Sequence, residues 1–264
     1  MASLLLLRGD VKQCQRKVYP MSEFAHSGTL KKEYVQTMFN DVAHRYDFLN
    51  RFLSCGIDVY WRKQLVNTLD IEVGDRILDV ACGTGDVSRA ILKKHKAHIT
   101  GLDYASKMVE RAKDKATALG FSNRVQFMQG DAETMPFAEG FFDKLCIAFG
   151  FRNMGHYDVA LCEFYRVLKP GGQLAILELS EPHSSVFKKC YGFYFSKVLP
   201  KVASLVSRDD AYRYLPESVV HFPPREEICG MLGAAGFQGV GYKDLTFGAS
   251  TIFLGTKEGS LSNC

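Results

Sequence analysis

At 264 residues the chain suits one α/β domain with additions better than two large domains. Its 47% apolar and 23% charged residues exclude a disordered, collagen-like or disulfide-scaffold protein. Basic residues number 33 and acidic ones 29, a net +4; residues 1–20 hold +3 of this through Arg8, Lys12, Arg16 and Lys17 against Asp10, and the +1 left is too little for a nucleic-acid face.

Residues 1–28 read as an unstructured extension before a single folded domain, 29–264, with Met21 a more ordinary start. A mitochondrial-type leader is the alternative, weakened by a shortage of serine. Leu4–Leu7 is too short for a signal-peptide core, and no apolar run reaches the roughly 18 residues that span a bilayer. Eight scattered cysteines without a Cys-x-x-Cys pair suggest neither a zinc ribbon nor a dithiol centre. They fit a reducing compartment and a cytoplasmic protein.

From residue 29 the sequence alternates between helical and strand patterns. N-terminal helices fill 29–70: Lys31–Arg45 spaces Tyr34, Val35, Met38, Phe39 and Val42 on one face, and further helices are predicted over Tyr46–Cys55 and Trp61–Leu69. A core over 71–181 follows. Its strands are Arg76–Ala81, Ala97–Leu102, Arg124–Met128, Asp143–Phe149 and Gln173–Leu179, and its helices Val87–His95, Ser106–Leu119 and His156–Leu168, the last stopped by Lys169–Gly172. Residues 182–222 read as an aromatic helical insertion. Segment 223–257 supplies a helix at Arg225–Ala235 and strands at Val240–Leu245 and Ser250–Thr256. This alternation predicts a doubly wound, mostly parallel seven-stranded sheet, Rossmann-like, whose ligand lies beyond the carboxyl ends of the strands.

The residues at those ends carry the chemistry. Gly83, Thr84 and Gly85 form a strand-to-helix turn where glycine allows close backbone approach to a ligand. The third glycine of a dinucleotide fingerprint is Ser88, and Asp79 and Asp86 flank the loop; acids suit a cationic ligand better than a pyrophosphate. Asp103 ends the second strand, placed to accept hydrogen bonds from both hydroxyls of a ribose. Asp131 and Ala132 follow the third strand and are placed at an adenine edge. Ribose, adenine and a cationic amino-acid tail together describe S-adenosylmethionine. The blander reading of each acid is a helix cap.

The sequence also resembles a known family. The matching stretches are Met38–Ala43 (MFNDVA), Tyr46–Asn50 (YDFLN), Ser54-x-Gly56 with Trp61, Leu78–Asp86 (LDVACGTGD), Phe149–Asn153 (FGFRN), Val167–Gly172 (VLKPGG), Tyr214–Val219 (YLPESV), Ala235–Phe237, and Leu245-Thr246 with Gly255. Together they resemble the ubiquinone/menaquinone biosynthesis C-methyltransferases, a class I S-adenosylmethionine-dependent family, over residues 33–257. The resemblance implies cofactor contacts at Thr84, Asp103, Asp131 and Ala132, and it puts Ala148 where many relatives have serine. Asp58 and Phe253 stand where relatives often have His. With Leu245–Gly248 (LTFG) they place the protein nearer the menaquinone branch.

The implied acceptor is a prenylated quinol, most simply demethylmenaquinol, with the benzoquinol precursor of ubiquinone as runner-up. Arg152 is expected to stabilise the developing oxyanion and Asn153 to orient it or a water. If a base acts, the candidates are a water held by Asp131 or Asn153, or His156, which is more simply a first-turn helix residue. Tyr46, Asn50 and Tyr214 are substrate-pocket candidates. In the 182–222 insertion, apolar residues from Phe187 to Leu205 interleaved with lysines read either as a prenyl lid touching a membrane surface or as helices packed on the sheet. A homo-oligomer or a quinone-pathway complex is compatible with the sequence. No metal is required. A nicotinamide dehydrogenase, an amino-group methyltransferase and an RNA methyltransferase fit the motifs less well, and a non-catalytic cofactor-binding protein is disfavoured by the intact Asp103, Arg152 and Asn153.

Overall fold

The computed structural model describes residues 28–54, 56–182, 214 and 218–259. The expected extension, apart from Gly28, and the apolar stretch of the insertion lie outside the described residues.

Three helices come first, α1 (Thr29–Val42), α2 (Tyr46–Leu53) and α3 (Ile57–Thr68). The core then runs β1 (Arg76–Val80), α4 (Asp86–Lys94), β2 (His98–Asp103), α5 (Ser106–Ala118), β3 (Val125–Gln129), β4 (Phe142–Ala148), α6 (Tyr157–Val167) and β5 (Leu168–Leu179). It closes with α7 (Arg225–Ala234), β6 (Phe237–Leu245) and β7 (Ser250–Lys257). Single 3-10 turns occupy Phe151–Asn153 and Thr246–Gly248.

The strands form one seven-stranded sheet in the order β3-β2-β1-β4-β5-β7-β6, parallel except for β7, which runs antiparallel to both its neighbours. The doubly wound, mostly parallel sheet read from the sequence is therefore present. Its central strands are apolar on both faces because helices cover both. Strand pleating sorts them: Leu78, Val80, Leu145, Ile147, Leu174 and Ile176 pack with Leu161, Phe164, Ile228 and Leu232 of α6 and α7. Ile77, Cys146, Ala175 and Leu177 pack with Trp61, Leu65, Ile91 and Leu92 of α3 and α4.

Three boundaries differ from expectation. Helix α3 starts at Ile57 rather than Trp61, because Gly56 (φ +78°) turns the backbone directly out of α2. Lys169–Gly172 belongs to β5 and does not merely end α6: Phe142 pairs with Leu168, and the register resumes at Lys144 and Gln173 around a bulge. Strand β6 begins at Phe237 rather than Val240. Gly236 (φ +103°) reverses the backbone after α7, so Phe237 can pair at once with Lys257.

Candidate active site

Strand order reverses between β1 and β4, which lie side by side although β2 and β3 intervene in sequence. Open α/β sheets bind ligands at such a point. Here the backbone beyond the two strands is constrained. Ala81 (φ +48°) and Phe149 (φ +61°) are non-glycine residues in the left-handed region, each costing about 1–3 kcal/mol. Gly150 brings the two ends together; a Cβ there would sit 2.5 Å from that of Ala81.

A cavity opens above these ends, where sheets of this kind hold a small molecule. Ala81, Gly83, Asp103, Asp131, Ala148 and Asn153 line it from the sheet side. Helix α1 roofs it with Lys32, Val35, Gln36 and Phe39. Asp103 accepts the Gly83 N–H on Oδ2 at 2.7 Å and the Ala105 N–H on Oδ1 at 2.9 Å, so one carboxylate fixes the glycine loop and the start of α5. Asp131 and Glu133 both hold Lys32, at 2.7 and 2.8 Å, and the Glu133 N–H caps Asp131 Oδ1. Gln36 donates to the Tyr104 carbonyl at 2.9 Å, a second tie across the roof.

The two acids that flank the glycine loop do not face this cavity. This corrects the argument that Asp79 and Asp86 meet a cation there. Asp79 has the pleat parity of Ile77 and points at α4, where Ser88 donates to its Oδ2 from N at 3.0 Å and from Oγ at 2.6 Å. Asp86 is spent on Lys115, Arg89 and Arg51 at 2.8, 3.4 and 3.6 Å. Thr84 likewise turns outward, its hydroxyl bonded to Asp47 and receiving Lys115 at 2.9 Å. Gly85 (φ +80°) is the N-cap of α4, and a Cβ would meet Phe127 at 2.8 Å; its role is packing. The preference for a cation survives on other residues: Asp103, Asp131 and Glu133 face the cavity, against Lys32 as the one cation among the described residues that line it.

Burial pushes the Asp79 carboxyl up to about 7, although Ser88 favours its charged form. The folded protein thus keeps a proton that the unfolded state releases near pH 4, so stability from this group is full below about pH 4 and lost as pH rises towards 7. In denaturant titrations at fixed pH, Asp79→Asn should keep the Ser88 bonds and flatten the stability profile between pH 4 and 7. An unchanged slope would refute the assignment.

A second cavity, lined by Lys31, Arg152, Tyr157, Tyr214, Ser218, Phe222 and Phe253 among others, adjoins the first across the Phe151–Asn153 turn. Asn153 faces the first cavity and Arg152 the second. The Tyr214 hydroxyl donates to Asn153 Oδ1 at 3.1 Å and links the two. Arg152 is not the free cation expected of an oxyanion partner. Its Nη1 donates to Glu178 Oε2 at 2.7 Å and to the Phe149 carbonyl at 2.8 Å, its backbone N–H to Glu178 Oε1 at 3.0 Å, and its Nε to Ser218 at 3.3 Å. Nη2 has no hydrogen bond among the described residues and is the group left for a ligand. Tyr46 lines the first cavity, whereas Asn50, one turn further along α2, lines neither cavity. His156 is the N-cap of α6, held by Glu133 at 3.0 Å, as the plain reading expected.

Four participants escaped the sequence reading: Lys31, Lys32, Glu133 and Glu178. Glu178 did leave a signal, an acid inside the apolar strand Gln173–Leu179. The lysines left none, since paired lysines on an amphipathic helix usually mark its wet face.

The family model described as the ubiE/COQ5 methyltransferase family matches residues 27–257. The chain belongs to that family. It is an S-adenosylmethionine-dependent methyltransferase, and the first cavity fits the cofactor, with acids opposite its positive charge, Asp103 at the strand end, and apolar walls at Leu102, Met108 and Met154. Relatives include the ubiquinone/menaquinone biosynthesis C-methyltransferase UbiE of Geotalea daltonii, 44% identical over 87% of this chain and 98% of that one. The demethylmenaquinone methyltransferase of Thermus thermophilus is 46% identical over 83% of this chain and 100% of that one. Among solved structures, the [4+2]-cyclase SpnF superposes with a TM-score of 0.67 at 19% identity, covering 89% of this chain and 99% of that one. A SAM-dependent methyltransferase from Aquifex aeolicus gives 0.57 at 19% identity, covering 76% and 91%. At those identities the likeness is one of fold. The fold alone does not fix the chemistry, since SpnF is a cyclase.

Proposed function

We propose that this enzyme transfers its methyl group to a ring carbon of a prenylated quinol, with demethylmenaquinol as acceptor. The observation that carries this reading is the second cavity meeting the cofactor cavity at the Arg152–Asn153 turn. Its wall is aromatic and apolar at Phe222, Met231 and Phe253, and polar at Lys31, Arg152, Tyr214 and Ser218 as well as at Ser180, Glu181, His221, Arg225 and Glu227. A flat bicyclic ring placed against Phe222 and Phe253, with its reacting hydroxyl towards Arg152 and Tyr214, fits that wall. Asp103, Gly83, Asp131 and Ala132 bind the cofactor in this proposal, and Tyr46 and Tyr214 border the acceptor.

Bound S-adenosylmethionine supplies the electrophilic methyl group. The protein must supply a nucleophilic ring carbon, which means favouring the phenolate: ionising a phenol of pKa near 10 at pH 7 costs about 4 kcal/mol. Arg152 Nη2 and Asn153 lie where they can stabilise that oxygen, and holding the two reactants in line contributes on the order of 7–11 kcal/mol. A benzoquinol acceptor is the second reading, favoured by relatives whose names cover both quinones. A cytoplasmic enzyme in peripheral contact with the membrane that dissolves the prenyl tail, alone or in a quinone-pathway assembly, completes the proposal.

The test is incubation with methyl-labelled cofactor and reduced naphthoquinol and benzoquinol acceptors. Label should enter the naphthoquinol ring faster. Label only in the benzoquinol would reverse the order of the two readings, and none in either would reject both.

A further inference from the structure

The geometry points to Lys31 as the proton acceptor for the quinol hydroxyl, a role within the acceptor site proposed above. Lys31 lies on α1 with 7% of its surface exposed and lines the acceptor cavity. Its Nζ donates to the Arg152 carbonyl at 2.9 Å, an oxygen that also receives the Tyr157 hydroxyl at 3.1 Å, and sits 5.3 Å from the centre of the Tyr157 ring. A lysine buried to this extent is ordinarily paired with an acid. Lys31 makes no ion pair among the described residues, because the two nearest acids are already committed. Glu178 is taken by Arg152, and Glu133 by Lys32 and His156.

The neighbouring lysine shows the contrast. Lys32 sits between two carboxylates over the cofactor cavity, and they raise its pKa against the opposing effect of burial, so it stays an ammonium. The charged and titratable groups around Lys31 are Arg152 on the turn after β4, Glu178 on β5, Glu133 after β3 and Tyr157 on α6, with Tyr214, Glu181, His221, Arg225 and Glu227 elsewhere on the wall of the same cavity. Burial first, and Arg152 second, lower its pKa to about 8, while Glu133 and Glu178 oppose them. About half the amine is then free base at pH 8, against roughly one part in 300 for an ordinary lysine. That matches what a general base needs at working pH. As a neutral amine, Lys31 can keep one N–H on the Arg152 carbonyl and offer its lone pair to the cavity.

The quinol O–H bond breaks and its proton forms a third N–H bond on Nζ. The electron pair left on oxygen feeds the ring carbon, which forms the new C–C bond as the sulfur–methyl bond breaks and the pair returns to sulfur. The ring C–H proton then leaves to water, and Nζ returns its proton to the oxygen. The net products are methylated quinol, S-adenosylhomocysteine and one solvent proton.

Two variants and a readout independent of turnover test this. With S-adenosylhomocysteine bound, so that no methyl transfer occurs, the ultraviolet absorption of bound naphthoquinol should show the anion appearing at a lower pH in the native enzyme than in Lys31→Met. In Lys31→Met it should appear only near the phenol's own value of about 10. Single-turnover transfer at pH 7 should fall about 10²–10³-fold in Lys31→Met and recover as pH approaches 10. Lys31→Arg keeps the cation but cannot accept a proton, so it should be impaired like Lys31→Met while binding cofactor within about twofold of native. Full activity of Lys31→Arg at pH 7, or an unshifted anion titration, would overturn the assignment. Should Lys31→Met fail to fold, Lys31→Arg alone decides. Failure of the native enzyme to methylate any quinol would instead reject the acceptor proposal.

Discussion

Replacing Asp103 with alanine should reduce S-adenosylmethionine affinity at least a hundredfold. Besides any ribose contact, the carboxylate holds the Gly83 and Ala105 N–H groups, so its removal unfastens the glycine loop from α5. Each N–H left without a partner in a buried site costs about 1–3 kcal/mol, and two such losses, about 2–6 kcal/mol, together with the lost ribose contact reach that factor. Isothermal titration with the cofactor is the direct measurement. Asp103→Asn can still accept on one oxygen and should fall between the two. Near-native affinity in Asp103→Ala would mean that the ligand does not lie against the end of β2.

The second large effect concerns Arg152 and Glu178. Their side chains are 6% and 0% exposed, and the ion pair is 2.7 Å long. Arg152→Ala leaves an uncompensated carboxylate with no access to water, which should cost about 3–5 kcal/mol of folding stability. It also removes the shorter of the two hydrogen bonds to the Phe149 carbonyl, leaving the left-handed residue after β4 with the Asn153 amide at 3.5 Å and its own N–H on the Leu177 carbonyl. Reduced turnover in this variant alone would therefore confuse catalysis with folding. The double variant Arg152→Met with Glu178→Gln removes both charges together. It should regain most of the lost stability in urea denaturation while methyl transfer stays at least tenfold down, with cofactor affinity largely kept. Turnover that returns along with stability would make the guanidinium purely structural.

These expectations revise a simpler picture in which Arg152 is a free oxyanion donor. An Arg-Asn pair after the fourth strand was legible, and its place at the site was too, because β-strand ends in this architecture point at the ligand. Its partner was not read as one. Glu178 lies 26 positions away in sequence, on a strand that looks merely apolar, and only pleat parity turns it towards the Phe151–Asn153 turn rather than towards α3. The four acids near the strand ends show the same division. All four were visible in the sequence, yet Asp79 and Asp86 point at Ser88 and Lys115, whereas Asp103 and Asp131 line the cavity.

What the sequence by itself determined is the order of strands and helices, the glycine turn, and the family, because these rest on local periodicity and on contiguous motifs. The tertiary structure alone decided which charges are free to act. Whether a lysine is a solvated cation, a clamp or a base depends on what lies within about 4 Å of it and on how much water reaches it, and residues distant in sequence set both. Lys31 and Lys32 are neighbours in sequence. Folding sends one to two carboxylates and the other to a backbone carbonyl with no carboxylate in ion-pair contact among the described residues, and that difference in surroundings, not in residue type, separates a structural ammonium from a candidate base.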